Sequence, residues 1–277
     1  MSYHPSQMLK DEDVTSLINS IYTTYGYDFA DYSEASFKRR INRIMIANKV
    51  SDFFELQHRV VNNELFFNYF LEEVTVNVTE MFRDVGFYKT LRKEILPQLS
   101  SYPTIRIWHA GCSTGEEVYS MAILLKEAGL LDRSLLYATD INQKVLEHAA
   151  SGKYSIELLK GFTTSYIASG GLNDFSNYYT AKYGKVLFDE ELRKKMVFSV
   201  HNLVTDQSFN EFNLILCRNV MIYFNRILQN RVLKLFTNSL APFGFLALGS
   251  KETIDFSTVV NDFEKVNQKQ KIWRKTK

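Results

Sequence analysis

The chain has 277 residues, of which 45% are apolar and 14% aromatic, enough to bury one large core or two smaller ones. A formal net charge of +2 gives no general attraction to nucleic acid or to a membrane surface, so we expect neither partner. Two cysteines, Cys112 and Cys217, exclude a disulfide framework and a cysteine zinc site, and we expect no metal. No segment of about 18 apolar residues occurs. We therefore expect a soluble, cytoplasmic protein.

Residues 1–75 predict a small all-helical domain. The residues Phe37, Ile41, Ile44 and Met45 are spaced i, i+4, i+7 and i+8, which places them on one face of a helix. The polar side of the same helix is basic and carries Lys38, Arg39, Arg40 and Arg43. Such a charged stretch is either a solvated face or a docking surface for an acidic partner.

Strand and helix patterns alternate in residues 96–277, which we predict as a second domain. The predicted strands are 105–108, 135–138, 196–200, 212–217 and 244–248. Alternation of strands with helices predicts an α/β fold with a mostly parallel, doubly wound sheet. Residues 155–192 interrupt the alternation and predict an inserted subdomain with a small sheet. Residues 76–95 are interpreted as a linker between the two domains.

The sequence HAGCSTGEEVYS (109–120) lies between the first predicted strand and its helix. Its glycines, Gly111 and Gly115, are four apart, which is almost the spacing of a phosphate-binding loop, but Glu116 and Glu117 stand where such a loop has Lys and then Ser or Thr. Asp140 ends the second strand, at the edge where open α/β sheets bind ligands and where an acid accepts ribose hydroxyls. These residues favour a positively charged nucleoside without phosphates, such as S-adenosylmethionine.

Other interpretations fit the same residues. Glu116 and Glu117 also suit a plain helix start, because acids in the first turn offset the helix dipole. Asp140 also suits a cap of the following helix. A dehydrogenase site begins with a similar glycine turn, so these residues alone leave it open.

Three further stretches flank GCSTGEEVYS in order. They are NVTEMFRD (77–84), HNL (201–203) and CRNVMIYF (217–224). This set resembles the CheR family of chemotaxis receptor methyltransferases over nearly the whole chain. The resemblance implies a small helical N-domain and then a Rossmann-like, S-adenosylmethionine-dependent methyltransferase domain with an inserted β-subdomain. It also implies methyl transfer to glutamate side-chain carboxylates of chemoreceptor helices, with S-adenosylhomocysteine as the product.

The resemblance further implies the site residues. Arg83 and Tyr223 match the residues that such enzymes place nearest to the transferring methyl, and we predict both as catalytic. The residues expected to bind the cofactor are Asn77, Thr79, Arg83, Ala110, Gly111, Glu117, Asp140, Asn202, Leu203, Asn219 and Val220. The alternatives are an ordinary ion pair of Arg83 with Asp84 or Glu80, and a packed aromatic role for Tyr223. A substrate glutamate is already ionised at neutral pH, so we predict no general base.

In this family a basic helix of the N-domain docks the receptor, which implies that role for Lys38, Arg39, Arg40 and Arg43. Some members grip a C-terminal receptor peptide with a glycine-rich loop, but the matching stretch 177–186 is short and contains only Gly184. We therefore expect no such tether, and we expect a monomer. Two alternatives stay open: the same chemistry on another protein or a small carboxylate, and a non-catalytic cofactor-binding signalling module.

Overall fold

In the computed structural model, residues 9–75 and 78–277 are described, and the chain divides into two compact units. The first, called the helical unit here, contains the N-terminal helices and also the segment Ile222–Arg231. The second, called the sheet unit, contains Val78–Met221 and Val232–Lys277. Residues 222–231 lie within the range predicted as the second domain, and by their contacts they group with the helices.

The helical unit is formed by α1 (Asp11–Tyr25), α2 (Glu34–Ala47), α3 (Phe53–Asn62) and α4 (Glu64–Thr75). The predicted apolar face of α2 is buried. Asp52 caps α3 by accepting a hydrogen bond from the Glu55 N–H, as expected for an acid at this position. Phe224 joins this unit through a β-bridge with Tyr32 and an edge-on ring contact to it.

The sheet unit begins with α5 (Val85–Thr90), a π-helical turn (Leu91–Ile95) and α6 (Leu96–Leu99). Next come β1 (Ile105–Ala110), α7 (Glu116–Glu127), β2 (Ser134–Asp140), α8 (Gln143–Ser151), β3 (Lys153–Ser155), α9 (Leu159–Ala168), β4 (Tyr179–Lys182), β5 (Lys185–Phe188) and α10 (Glu190–Arg193). The chain ends with β6 (Met196–Val200), β7 (Phe212–Cys217), α11 (Arg226–Ser239), β8 (Leu240–Leu248), β9 (Phe263–Asn267) and β10 (Ile272–Lys275). Short 3₁₀ turns lie at Leu131–Arg133, Ile156–Leu158, Phe175–Tyr178, Met221–Tyr223 and Val260–Asp262.

The main sheet has seven strands in the order β6-β2-β1-β7-β8-β10-β9. The first five strands in this order, which are β6, β2, β1, β7 and β8, are parallel to one another. The last two, β10 and β9, pair in an antiparallel manner at one edge of the sheet. Every residue of β7 is buried, as the continuously apolar sequence FNLILC predicts for a central strand. This arrangement confirms the predicted Rossmann-like fold class.

The inserted subdomain is a three-stranded sheet in the order β3-β5-β4. The hairpin of β4 and β5 turns through Tyr183 and Gly184, both with positive φ, the conformation that matches a twisted two-residue hairpin. The insertion was predicted, but β3 and β9 were missed, because β3 has only three residues and the β9 sequence FEKVN does not alternate apolar and polar residues.

The stretch interpreted as a linker contributes to the core of the sheet unit. Met81, Phe82 and Phe87 are buried in the same hydrophobic cluster as Ile107 and Leu216 of the central strands. The sequence pattern did not predict this burial. None of the described helices is long and apolar enough to span a membrane.

Candidate active site

The carboxyl ends of β2, β1 and β7 lie side by side, because these strands are parallel neighbours. The turn after β1 is tied to the end of β2: the N–H groups of Gly111 and Cys112 both donate to the Thr139 carbonyl oxygen, at 2.8 and 2.9 Å. Open α/β sheets bind their ligands at this edge. The structure thus brings the predicted glycine turn next to Asp140.

Two positions of the turn require glycine. Gly111 has φ +79, and a Cβ there would lie 2.5 Å from Cγ2 of Val220. Gly115 has φ +93, and a Cβ there would lie 2.8 Å from the Ala149 Cβ. Both conformations disfavour side chains, and neither site has room for one. Gly111 and Val220, which the resemblance assigns to the same ligand, are therefore in direct contact.

Asp140 organises the end of β2. Its side chain is buried, and its two carboxylate oxygens accept the backbone N–H groups of Ser113 (2.9 Å) and Asn142 (3.0 Å). Burial raises the pKa of the Asp140 carboxyl, and these backbone hydrogen bonds oppose that increase. The cap of α8 is Asn142, whose side chain accepts the Lys144 N–H, so the alternative role of Asp140 as helix cap is wrong.

Two buried polar atoms beside this carboxylate have no hydrogen-bond partner among residues 9–75 and 78–277. They are Oγ of Ser113 and Nδ2 of Asn142. Buried polar groups in proteins are nearly always satisfied, so an unsatisfied pair suggests a polar ligand. A hydroxyl, a primary amide and the remaining lone pairs of Asp140 suit the vicinal hydroxyls of a ribose. The residues present therefore fit a nucleoside cofactor.

Glu117, in the first turn of α7, is part of a charge network. His109 Nδ1 lies 3.0 Å from Oε1 of Glu117, and Nη1 of Arg218 lies 3.1 Å from Oε2. Nη2 of Arg218 pairs with Asp84 at 2.6 Å, and its guanidinium covers the Phe87 ring at 4.0 Å. Burial raises the pKa of Glu117, but the hydrogen bond from His109 and the charge of Arg218 outweigh it and lower the pKa. Glu117 is thus already paired with Arg218. It therefore attracts a cationic ligand less strongly than the sequence alone suggests.

The segment that contains Arg83 reaches the same edge of the sheet, since its neighbour Asp84 pairs with Arg218. Arg83 is partly buried, and its Nη1 donates to the Val78 carbonyl oxygen at 3.1 Å. No ion pair of Arg83 with Asp84 or Glu80 is found in the part of the chain that the structure describes.

The other linker residues of the predicted site are less informative. Thr79 is partly exposed in the loop that precedes Arg83. Asn77 lies outside the described residues.

The segment after β6 lies beside Asp140. The His201 N–H donates to the Asp140 carbonyl oxygen at 3.1 Å. Asn202 stabilises its own turn, because its side-chain oxygen accepts the Val204 N–H at 2.9 Å. Leu203 is buried. Both predicted residues thus directly follow His201, whose backbone is tied to the end of β2.

Glu252, which lies beyond β8, was not predicted as a site residue. Its carboxylate accepts the N–H groups of Asn219 and Val220, each at 3.0 Å, and that of Gly249 at 2.6 Å. Asn219 and Val220, the predicted adenosine-side residues after β7, are thus held by the end of the next strand. The only sequence signal for this role is an acid a few residues after a buried strand at the ligand-binding edge.

Tyr223 lies in the segment that packs with the helical unit. Its backbone oxygen accepts the Ser33 N–H at 2.8 Å, and the Arg40 guanidinium lies 4.8 Å from the centre of its ring. A cation over an aromatic face is a favourable contact that also fixes the plane of the ring.

The cations of α2 differ in their surroundings. Lys38 pairs with Asp11 and with Glu34, and Arg43 has a long contact of 3.8 Å to Glu73. Arg40 donates to the Glu73 carbonyl oxygen and covers Tyr223, as described above. Arg39 is exposed, and no ion pair of it occurs within the described ranges. The face is therefore basic, but much of its charge is already paired.

Comparison with known proteins decides the family. Residues 77–272 match the family model described as "CheR methyltransferase, SAM binding domain", and residues 12–75 match "CheR methyltransferase, all-alpha domain". The chain belongs to the CheR methyltransferase family. Its cofactor is accordingly S-adenosylmethionine, and the chain is a methyltransferase dependent on that cofactor.

Several relatives match this CheR chain over most of its length. The Pseudomonas putida protein Cher3 is 46% identical over 98% of this chain and 99% of its own. The chemotaxis protein methyltransferase of Salmonella typhimurium is 32% identical over 92% of this chain and 88% of its own. That of Listeria innocua is 30% identical over 83% and 85%, respectively.

Proposed function

We propose that this CheR protein transfers the methyl group of S-adenosylmethionine to glutamate side chains of chemoreceptors. The observation that carries the proposal is the polar site at the carboxyl edge, where Asp140, Ser113 and Asn142 surround the glycine turn. Relatives that are named chemotaxis protein methyltransferases support the chemosensory role.

The proposed cofactor-binding role of the site follows from its polar groups. Asp140, Ser113 and Asn142 hold the ribose, and Asn219 with Val220 lines the adenosine side. When bound, S-adenosylmethionine would supply a methyl group activated by its positively charged sulfur. Transfer of this methyl group to a carboxylate oxygen would give a neutral methyl ester and leave S-adenosylhomocysteine, a neutral thioether.

The chain itself then has to bind, align and exclude water. The substrate carboxylate is ionised at neutral pH, so no side chain has to remove a proton. Holding the oxygen in line with the methyl group gives the largest gain, because correct alignment converts a bimolecular encounter into an intramolecular step.

We assign this alignment to Arg83 and Tyr223. The guanidinium of Arg83 suits a bidentate pair with a carboxylate. The Tyr223 hydroxyl suits the second oxygen or the cofactor. Arg83→Ala and Tyr223→Phe are each expected to lose most of the turnover while the Kd for S-adenosylhomocysteine changes only modestly. Near-normal turnover of either variant in a methyl-transfer assay would remove that residue from the mechanism.

We further propose that the basic face of α2 docks an acidic receptor helix, with Arg39 as its most available cation. Reversing Arg39 and Arg43 to Glu should lower the receptor kcat/KM about tenfold at low salt and much less at high salt, because steering of exposed charges is screened. Lys234→Glu changes an exposed cation on α11 and serves as the control. Equal rates for the reversed and native proteins at low salt would exclude this surface.

The function is tested by tritiated methyl transfer to purified receptor cytoplasmic domains. Base-labile label on receptor glutamates supports the proposal, since a methyl ester is hydrolysed by mild base. Label on another protein or on a small carboxylate would redirect the substrate assignment. Cofactor binding without any transfer would make the chain a binding module.

A further inference from the structure

Glu252 lies in the turn after β8 and is only 5% exposed. Its Oε2 accepts the N–H groups of Gly249 (2.6 Å) and Asn219 (3.0 Å), and its Oε1 accepts that of Val220 (3.0 Å). The Glu252 N–H in turn donates to the Gly249 carbonyl oxygen at 2.9 Å. The carboxylate therefore closes its own turn and at the same time joins β8 to the segment after β7.

The backbone that Glu252 holds is in an unfavourable conformation. Asn219 has φ +64, in the left-handed region that most residues with a side chain avoid and that asparagine adopts only occasionally. Such conformations persist where surrounding contacts enforce them, and they cluster at ligand sites. The hydrogen bonds from the N–H groups of Asn219 and Val220 to Glu252 stabilise this backbone conformation.

The residues that Glu252 holds also contact the glycine turn. Val220, fixed by Glu252, fills the space beside Gly111, where a Cβ would come within 2.5 Å of it. On the other side, a Cβ on Gly249 would lie 2.7 Å from Oε2 of Glu252 and 2.8 Å from the Asn219 nitrogen. The ends of β7 and β8 therefore meet at this carboxylate, and the end of β1 lies against Val220, which the carboxylate holds.

We infer that Glu252 is a positioning residue for the cofactor. By fixing the backbone of Asn219 and Val220, it sets the affinity for S-adenosylmethionine and leaves the affinity for the methyl acceptor unchanged. The inference rests on the proposed function only in that these two residues line the adenosine side of the cofactor.

The test is calorimetric titration of the full chain with S-adenosylhomocysteine. In Glu252→Gln the side chain keeps its shape, but its NH₂ end cannot accept a hydrogen bond and faces a backbone donor. Because a buried donor left unpaired is costly, we expect the Kd to rise about tenfold. The KM for S-adenosylmethionine should rise by the same factor. The kcat at saturating cofactor and the KM for a receptor fragment should stay near the native values, because the interaction with the cofactor is weakened equally in the ground state and in the transition state.

A matched control is Glu127→Gln. Glu127 is also a buried glutamate of the sheet unit, held by Tyr166, Tyr178 and the Leu172 N–H, but it lies at the opposite end of α7 from the glycine turn. Its substitution should lower the melting temperature and leave the Kd unchanged. If Glu252→Gln fails to fold, Gly249→Ala decides, because its methyl group displaces the same carboxylate and keeps its charge.

The outcomes separate cleanly. An increased Kd in Glu252→Gln or Gly249→Ala, without one in Glu127→Gln, supports the inference. An unchanged Kd in the folded Glu252 variant, or an equal increase in the control, overturns it. A native protein that binds S-adenosylhomocysteine but methylates no receptor contradicts only the proposed substrate, since the titration needs no methyl acceptor.

Discussion

Replacing Arg218 should destabilise the sheet unit strongly. The Arg218 side chain is 4% exposed, lies between Glu117 and Asp84, and covers Phe87. Arg218→Met retains the apolar stem and removes the charge. Breaking a buried ion pair costs about 3–5 kcal/mol, because it leaves a buried charge without its partner.

We expect the free energy of unfolding of the sheet unit to fall by about 3 kcal/mol, the low end of that range. His109 still donates to Glu117 in the variant, and Asp84 is 41% exposed and regains water. For a domain of this size the loss corresponds to a decrease in Tm of about 6–12 °C.

The assay is thermal unfolding followed by circular dichroism, with Lys194→Met as the control. Lys194 pairs with Glu190 on the surface of the same unit, where both side chains are more than two-thirds exposed, so its Tm should barely change. Adding Glu117→Gln to Arg218→Met should cost less than the sum of the single changes, since the two groups interact. A Tm of Arg218→Met within 2 °C of the native value, or strict additivity, would refute this reasoning.

Two further predictions concern the cofactor site. Because burial raises the pKa of Asp140, its carboxylate gains a proton at a pH where an exposed aspartate stays ionised, so the affinity for S-adenosylhomocysteine should fall on acidification at a higher pH than an exposed aspartate would cause. Asp140→Asn should bind weakly with a flatter pH dependence in the same titration, and an unaltered pH profile would contradict the assignment. Gly111→Ala should abolish measurable cofactor binding through contact with Val220, while Gly129→Ala, with φ +67 and open space around it, should only lower the Tm by the conformational cost. Equal cofactor affinity of both alanine variants would show that the close approach at Gly111 is unimportant.

The main architecture was predictable because its signals are local. The apolar face of α2 and the fully buried sequence of β7 follow from side-chain periodicity, which one element carries by itself. Asp140 ends the predicted strand β2, so its location at the ligand-binding edge could be predicted before any of its contacts were known.

The sequence alone also determined the family and its cofactor, through four short stretches kept in order along the chain. Only the tertiary structure decided which groups meet at the site. The pairing of Arg218 with Asp84 and Glu117, and the hold of Glu252 on Asn219, join residues far apart in the chain. Such contacts depend on strand order and on the register between neighbouring strands, and no local pattern of residues encodes either.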